Sequence, residues 1–187
     1  FAETVTLPGT TDSNRKGIEN TNKSETTYLS RYYKYEGAAW YSRNIEIPAD
    51  WKEKHIVLFL ERTRPTTVWI DGREVGKCNY LSTPQEFNLT HFLAPGSHKL
   101  TIPGQIRSSS HACTESTQTN WNGIIGRMEL QAMNPLFIES IQAFPQVEDR
   151  SVKVKITLSN SSGIGGKKLQ LSASAFNTAK KHKARSA

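Results

Sequence analysis

Thr66-Thr67-Val68-Trp69-Ile70-Asp71-Gly72-Arg73-Glu74-Val75-Gly76 reads as two strands joined at Asp71-Gly72. Asp-Gly tolerates the positive φ angles of a type I′ turn, whose twist matches that of paired strands, so a β-hairpin is predicted here. Just before it, His55-Ile56-Val57-Leu58-Phe59-Leu60-Glu61 is an almost continuous apolar run, the pattern of a strand covered on both faces. Further upstream, Ala39-Trp40-Tyr41-Ser42-Arg43-Asn44-Ile45-Glu46-Ile47 ends at Pro48 and sets Tyr41, Ile45 and Ile47 on alternating positions. Downstream, strand candidates recur at 85–89, 98–102, 127–132, 137–143, 152–158 and 169–175. In Ser151-Val152-Lys153-Val154-Lys155-Ile156-Thr157-Leu158 apolar and polar residues alternate without a fault, which predicts one buried face and one wet one. No stretch carries a convincing helical period. The fold class is therefore all-β, and short strands punctuated by Gly, Pro, Asn and Asp predict a β-sandwich.

The pattern breaks near Asn134-Pro135. Residues 1–133 have the size of a complete jelly roll. Residues 134–187 hold only three strand candidates, too few for a second sandwich, and are read as a truncated domain cut from a longer protein. Gly163-Ile164-Gly165-Gly166 lacks the lysine and serine of a phosphate loop and is read as a hairpin turn.

Charge narrows the partners. The chain carries 24 Lys+Arg against 17 Asp+Glu, but residues 1–133 hold 15 basic and 14 acidic side chains, so the excess lies in the last third. Lys180, Lys181, Lys183 and Arg185 read as a solvated terminus, and a near-neutral body argues against nucleic acid. No run approaches the roughly 20 apolar residues of a membrane helix, and no membrane partner is expected. No secretory leader is seen, so a signal peptide was either removed or never present. Cys78 and Cys113 are read as free thiols, the alternative being a single disulfide. The five histidines are scattered, with no HExxH spacing and no GxSxG elbow, although a Ser-His-Asp triad assembled in space stays open. No Asp-rich loop marks calcium, and neither a metal nor a cofactor is expected.

Several segments in one order then resemble a known family: Gly37-Ala38-Ala39-Trp40-Tyr41-Ser42-Arg43, Leu58-Phe59-Leu60-Glu61-Arg62, Val68 to Gly76, Phe87-Asn88-Leu89-Thr90, and Asn120-Trp121-Asn122-Gly123-Ile124-Ile125-Gly126-Arg127. Together they resemble the N-terminal sugar-binding domain of family 2 glycoside hydrolases, the β-galactosidases, β-glucuronidases and β-mannosidases. The unit after Asn134 is similar to the start of that family's immunoglobulin-like domain. The resemblance implies retaining hydrolysis by two glutamates on a TIM barrel, and a barrel takes about 250 residues. By that reading no catalytic residue is expected in this chain. It would be a non-catalytic module that docks on the parent's barrel and shapes one wall of the pocket, in a periplasmic or extracellular enzyme, β-galactosidase-like before the others.

For sugar contact the sequence offers His111, Glu115, Thr117, Asn120, Trp121 and Asn122 within one segment, an indole plate beside amides and a carboxylate. The alternative is a polar loop satisfying its own backbone, with Trp121 in the core. In the family an Asp three residues before the Asn of this motif touches the sugar; here that place is Thr117, and Glu115 is the nearest carboxylate. Glu36 falls where some family members present an Asn to substrate, or is an exposed turn carboxylate. Glu61 and Arg62 read as a charged pair anchoring a sheet edge, the alternative being ligand contact, Trp69 as core within a half-buried hairpin, and Trp51 as a residue covering a loop. Tyr32, Tyr33 and Tyr35 read as core and rim. A free-standing carbohydrate-binding module and a structural scaffold are the rival functions. Pairing of two copies through the incomplete second domain is also expected.

Overall fold

The computed structural model describes residues 3–21, 32–35, 37–80, 83–105, 122–161, 170 and 172. Within them the chain is built from antiparallel strands, with a single short 3₁₀ turn at Ala49–Trp51. Three two-residue strands come first: β1 (Gly9–Thr10), β2 (Ile18–Glu19) and β3 (Tyr33–Lys34). There follow β4 (Ala38–Ile47), β5 (His55–Thr63), β6 (Thr66–Ile70), β7 (Arg73–Cys78), β8 (Gln85–Asn88), β9 (Gly96–Gln105) and β10 (Gly123–Met133). β11 (Leu136–Gln146) and β12 (Ser151–Asn160) end the described fold. The expected strands at 85–89, 98–102, 127–132, 137–143 and 152–158 are thus all present, most of them longer than their apolar cores. Of the segment 169–175 only residues 170 and 172 are described, neither in a strand, and the turn at Gly163 to Gly166 and the basic terminus lie outside the described residues.

Two four-stranded sheets, ordered β1-β10-β5-β8 and β4-β9-β6-β7, face each other across one core. Ile56, Leu58, Leu60 and Ile124 line it from the first sheet; Tyr41, Ile47, Val68, Ile70, Leu100 and Ile102 line it from the second. β5 lies between β10 and β8, and its residues Ile56 to Leu60 are all buried, as a two-sided strand requires. At the predicted turn Asp71 has φ 49° and Gly72 φ 80°, the positive pair a I′ turn needs.

Three local expectations are corrected. Trp69 alternates with the buried Val68 and Ile70, so it faces outward and is half-buried rather than core. Glu61 does not pair with Arg62 at an edge. β5 is a central strand, and Glu61 Oε2 accepts from the backbone N–H of Arg127 at 2.7 Å across a bulge in β10. Gly126 takes φ 76° there, and a Cβ would come within 2.8 Å of the Glu61 carboxylate. The third correction concerns β11 and β12, which among the described residues pair only with each other. Their alternation is as read, but Val152 and Val154 are 57% and 45% exposed, so the apolar face is not buried among the described residues.

Candidate functional site at the polar end of the sandwich

Burying a polar side chain is costly unless it finds partners, so where such residues gather is informative. Among the described residues the buried polar side chains are Thr11, Thr63, Arg64, Thr66, Gln85 and Asn122, and the register puts them at one end of the sandwich. The β5–β6 corner is the hub. Thr66 Oγ1 donates to the Arg64 carbonyl at 2.6 Å, and Gln85 Nε2 donates to the same oxygen at 3.2 Å and to the Tyr80 carbonyl at 2.7 Å. Thr63 and Thr66 hydroxyls lie 3.3 Å apart. The Oε1 of Gln85 and the Oδ1 of Asn122 are buried without a partner.

This end carries the two described flanks of the segment read as the sugar contact. β9 ends at Gln105 and the chain returns at Asn122, directly before β10. His111, Glu115, Thr117, Asn120 and Trp121 lie outside the described residues, and so does Glu36. Their neighbours are nonetheless brought together: Asn122 Nδ2 reaches the carbonyl of Gly37 at 3.4 Å, beside Glu36, and the Thr11 N–H donates to the Asn122 carbonyl at 2.8 Å. Asn122 itself is 1% exposed. Its side chain is a strut holding the returning chain, not a group facing solvent. Gly123 takes φ 148°, and a Cβ there would collide with the Gly9 carbonyl oxygen, so only glycine lets β1 approach β10 so closely.

Beside this end, a cleft of about 560 Å³ opens along the outer edge of β4. Its floor is Leu58, Leu100 and Ile102; Trp40, Arg43, Glu3 and Glu129 stand around it. Trp40 is 54% exposed. The sequence held a signal for that exposure: Trp40 takes the opposite parity from Tyr41, Ile45 and Ile47, which were read as the inward set. Tyr41 is buried with its hydroxyl unpartnered, and burial, then the nearby Tyr35, pushes its pKa up to about 12. That phenol stays neutral and offers no base.

The ionic contacts elsewhere serve the scaffold. The Arg127 N–H holds the Glu61 carboxyl below its usual range, and the Arg127 guanidinium sits 4.9 Å from the centre of the Phe59 ring. At the other end of the sandwich, His98 Nδ1 meets Asp71 Oδ2 at 2.6 Å and His98 Nε2 meets the Ala94 carbonyl at 2.8 Å. The Ala94 N–H also points at Nε2 from 3.3 Å, and the hydrogen bond to Asp71 above all raises the His98 pKa. Among the described residues no group of three His, Cys, Asp or Glu is arranged to hold a metal ion, and Cys78 is a free, partly buried thiol. Cys113 lies outside the described residues.

A search of curated proteins gave no match. Among solved structures the fold is similar to Faecalibacterium prausnitzii β-glucuronidase, with TM-score 0.60 and 20% identity over 84% of this chain and 30% of that one. It is similar to Ruminococcus gnavus β-glucuronidase, with TM-score 0.58 and 16% identity over 69% of this chain and 25% of that one. A glycosyl hydrolase family 2 member from Bacteroides cellulosilyticus gives TM-score 0.64 and 19% identity over 87% of this chain and 21% of that one. The chain thus spans under a third of the length of these structures. Residues 2–132 match the family described as glycosyl hydrolases family 2, sugar binding domain, so the chain belongs to that family and carries its sugar-binding domain.

Proposed function

We propose that this chain is the non-catalytic front module of a retaining β-glycosidase, positioning substrate at a TIM barrel borne by another part of the parent. The observation that carries this reading is the polar end. Buried Thr, Gln and Asn side chains fix the roots of the 106–121 segment there, and the Glu36 neighbourhood is tied to the same place through Asn122 and Gly37. A polar underlay of this kind is suited to fixing the points from which a recognition segment leaves a sandwich. His111, Glu115, Thr117, Asn120, Trp121 and Glu36 are the proposed sugar contacts, with Asn122 the residue that positions them. β-Galactosides are the favoured substrates, as the family resemblance implies. The likeness to β-glucuronidases, at 20% identity or less, speaks to fold alone and leaves that preference where it was.

The same proposal takes residues 1–133 as a jelly roll and 134–187 as the opening strands of an immunoglobulin-like domain, in a periplasmic or extracellular parent. Carbohydrate and the parent's own barrel are its partners. The exposed apolar face of β11 and β12 supports association of two copies when that domain is incomplete. Sedimentation showing only monomer at high concentration removes the dimer.

The test is an NMR titration of the 187-residue chain with galactose, glucuronic acid and mannose, read at the indole N–H signals. A shift of Trp121 with weak, saturating affinity is expected, together with no turnover of aryl β-galactosides. Turnover by this chain alone overturns the non-catalytic role. Silence of Trp121 up to tens of millimolar, well beyond the roughly 1 mM worth about −4 kcal/mol, overturns direct sugar contact.

A further inference from the structure

The outer face of the β4-β9-β6-β7 sheet carries a second set of groups suited to carbohydrate, drawn from strands rather than from the 106–121 segment. Cross-strand register sets Trp40 beside Pro103 and Ser42 beside Thr101, while Trp69 flanks Thr101 from the other side. At 3.3–3.4 Å per residue and about 4.8 Å between strands, the backbone positions of Trp40 and Trp69 are roughly 12 Å apart, the span of two to three linked pyranose rings. Between them the Ser42 and Thr101 hydroxyls lie 3.2 Å from each other, and Glu74 with Lys77, 3.3 Å apart, borders Trp69. Trp40 is the informative residue, an indole 54% exposed within a long, well-paired strand.

Leaving that much apolar ring in water forgoes a sizeable burial energy, and a stacked ligand recovers it. A pyranose presents one apolar C–H face and a ring of hydroxyls. An indole plate interleaved with hydroxyls, a carboxylate and an ammonium matches that pattern more closely than it matches an apolar protein partner, which would meet these polar groups without satisfying them. Trp40 also stands three residues from Gly37, about 10 Å along the strand, and Gly37 is bonded to Asn122 at the polar end. A sugar chain held at that end is therefore long enough after a few units to run onto this face.

We infer that this face is a distal binding surface for a β-linked oligosaccharide or polysaccharide chain, with Trp40 as its stacking plate and the half-buried ring of Trp69, its Nε1 enclosed, as the floor beyond it. The inference rests on the sugar-binding reading of the domain but not on the 106–121 segment, so the two can fail separately. The experiment is an indole-resolved NMR titration of the 187-residue chain with β-1,4-linked hexasaccharides of glucose, xylose, mannose and galactose. At least one hexasaccharide is expected to shift the Trp40 signal to saturation. Trp40→Ala should weaken that binding at least about tenfold, or about 1.4 kcal/mol, while Trp40→Phe, which keeps a ring, should hold it within about threefold. Signal dispersion of both variants checks that the sandwich is intact. If no hexasaccharide moves Trp40, or if Trp40→Ala binds as tightly as the parent sequence, the surface is not a carbohydrate site. A shift confined to Trp121 also overturns it, and leaves the proposed function standing.

Discussion

β5 and β12 are both strands rich in branched aliphatics, and the molecule treats them in opposite ways. In β5, Leu58 and Leu60 are 1% and 0% exposed, enclosed between two sheets. In β12, Val152 and Val154 are 57% and 45% exposed, on a hairpin whose tie to the sandwich includes the Lys54–Asn134 hydrogen bond and the His55–Phe137 ring contact. Alternation says which face of a strand seeks cover. It does not say whether the cover is at hand, because that depends on strands supplied from elsewhere in sequence or by another molecule.

The sharpest way to break this contrast is a pair of truncations. Leu60→Ala should cost about 2–5 kcal/mol in urea unfolding, since a fully enclosed leucine leaves a cavity. Val154→Ala should change stability by less than about 0.5 kcal/mol, as exposed positions do. A cost for Val154→Ala near that of Leu60→Ala would show that the β12 face is covered in solution, and concentration dependence of that cost would identify the cover as a second copy. Next in size is Gly123→Ala, expected to lose about 1–3 kcal/mol through its left-handed backbone and the collision with Gly9, read as a fall in Tm. An equivalent change at Gly96, where a Cβ would meet nothing within 4 Å, should be milder because only the backbone strain at φ 127° remains.

The smallest expected effect is on pH. His98 has its pKa raised above the ordinary 6.5, first by Asp71. Its stabilisation is fully present below the unfolded value and fades as pH rises through the raised folded value. Asp71 and Glu61 are shifted down, by the Lys99 and Arg127 N–H groups first, so their share is present above their unfolded values and is lost as pH falls through the lowered ones. A Tm profile should therefore sag as pH rises above the ordinary 6.5, and His98→Gln should remove that sag while only trimming the acid limb, since the Lys99 and Arg127 N–H groups remain. A profile of His98→Gln identical to that of the parent sequence would show that the Asp71–His98–Ala94 link carries no stability.

Much of the sandwich was legible because its signals are local. Asp71-Gly72 announces its own turn, and the unbroken run in β5 announces two-sided burial. What escaped depends on contacts distant in sequence. Glu61 looked paired with its neighbour Arg62, yet successive strand residues point to opposite faces, and its partner arrived from β10 through a bulge no local pattern marks. Asn122 looked like a sugar ligand by composition, and only the approach of Gly9 to Gly123 shows it enclosed. Trp69 looked like core because tryptophan usually is. Its parity with Val68 and Ile70 argued otherwise, and parity prevailed.

The connectivity of the front sandwich also governs when it can form. Apart from the β6–β7 hairpin, its pairings join distant strands: β4 waits for β9, and β1 and β5 wait for β10. During synthesis the apolar residues of β4 and β5 emerge well before their partners: one sheet lacks its inner strand β9 until residue 105 has left the ribosome, and the other lacks its inner strand β10 until residue 133 has. The β11–β12 hairpin, by contrast, closes over a tight turn on the microsecond scale once made, against milliseconds to seconds for the sandwich. The final strands are thus able to assemble while the core they follow is still searching. Folding of the nascent chain is therefore limited by β10, and a stall shortly before it would expose the greatest length of unpaired, aggregation-prone strand.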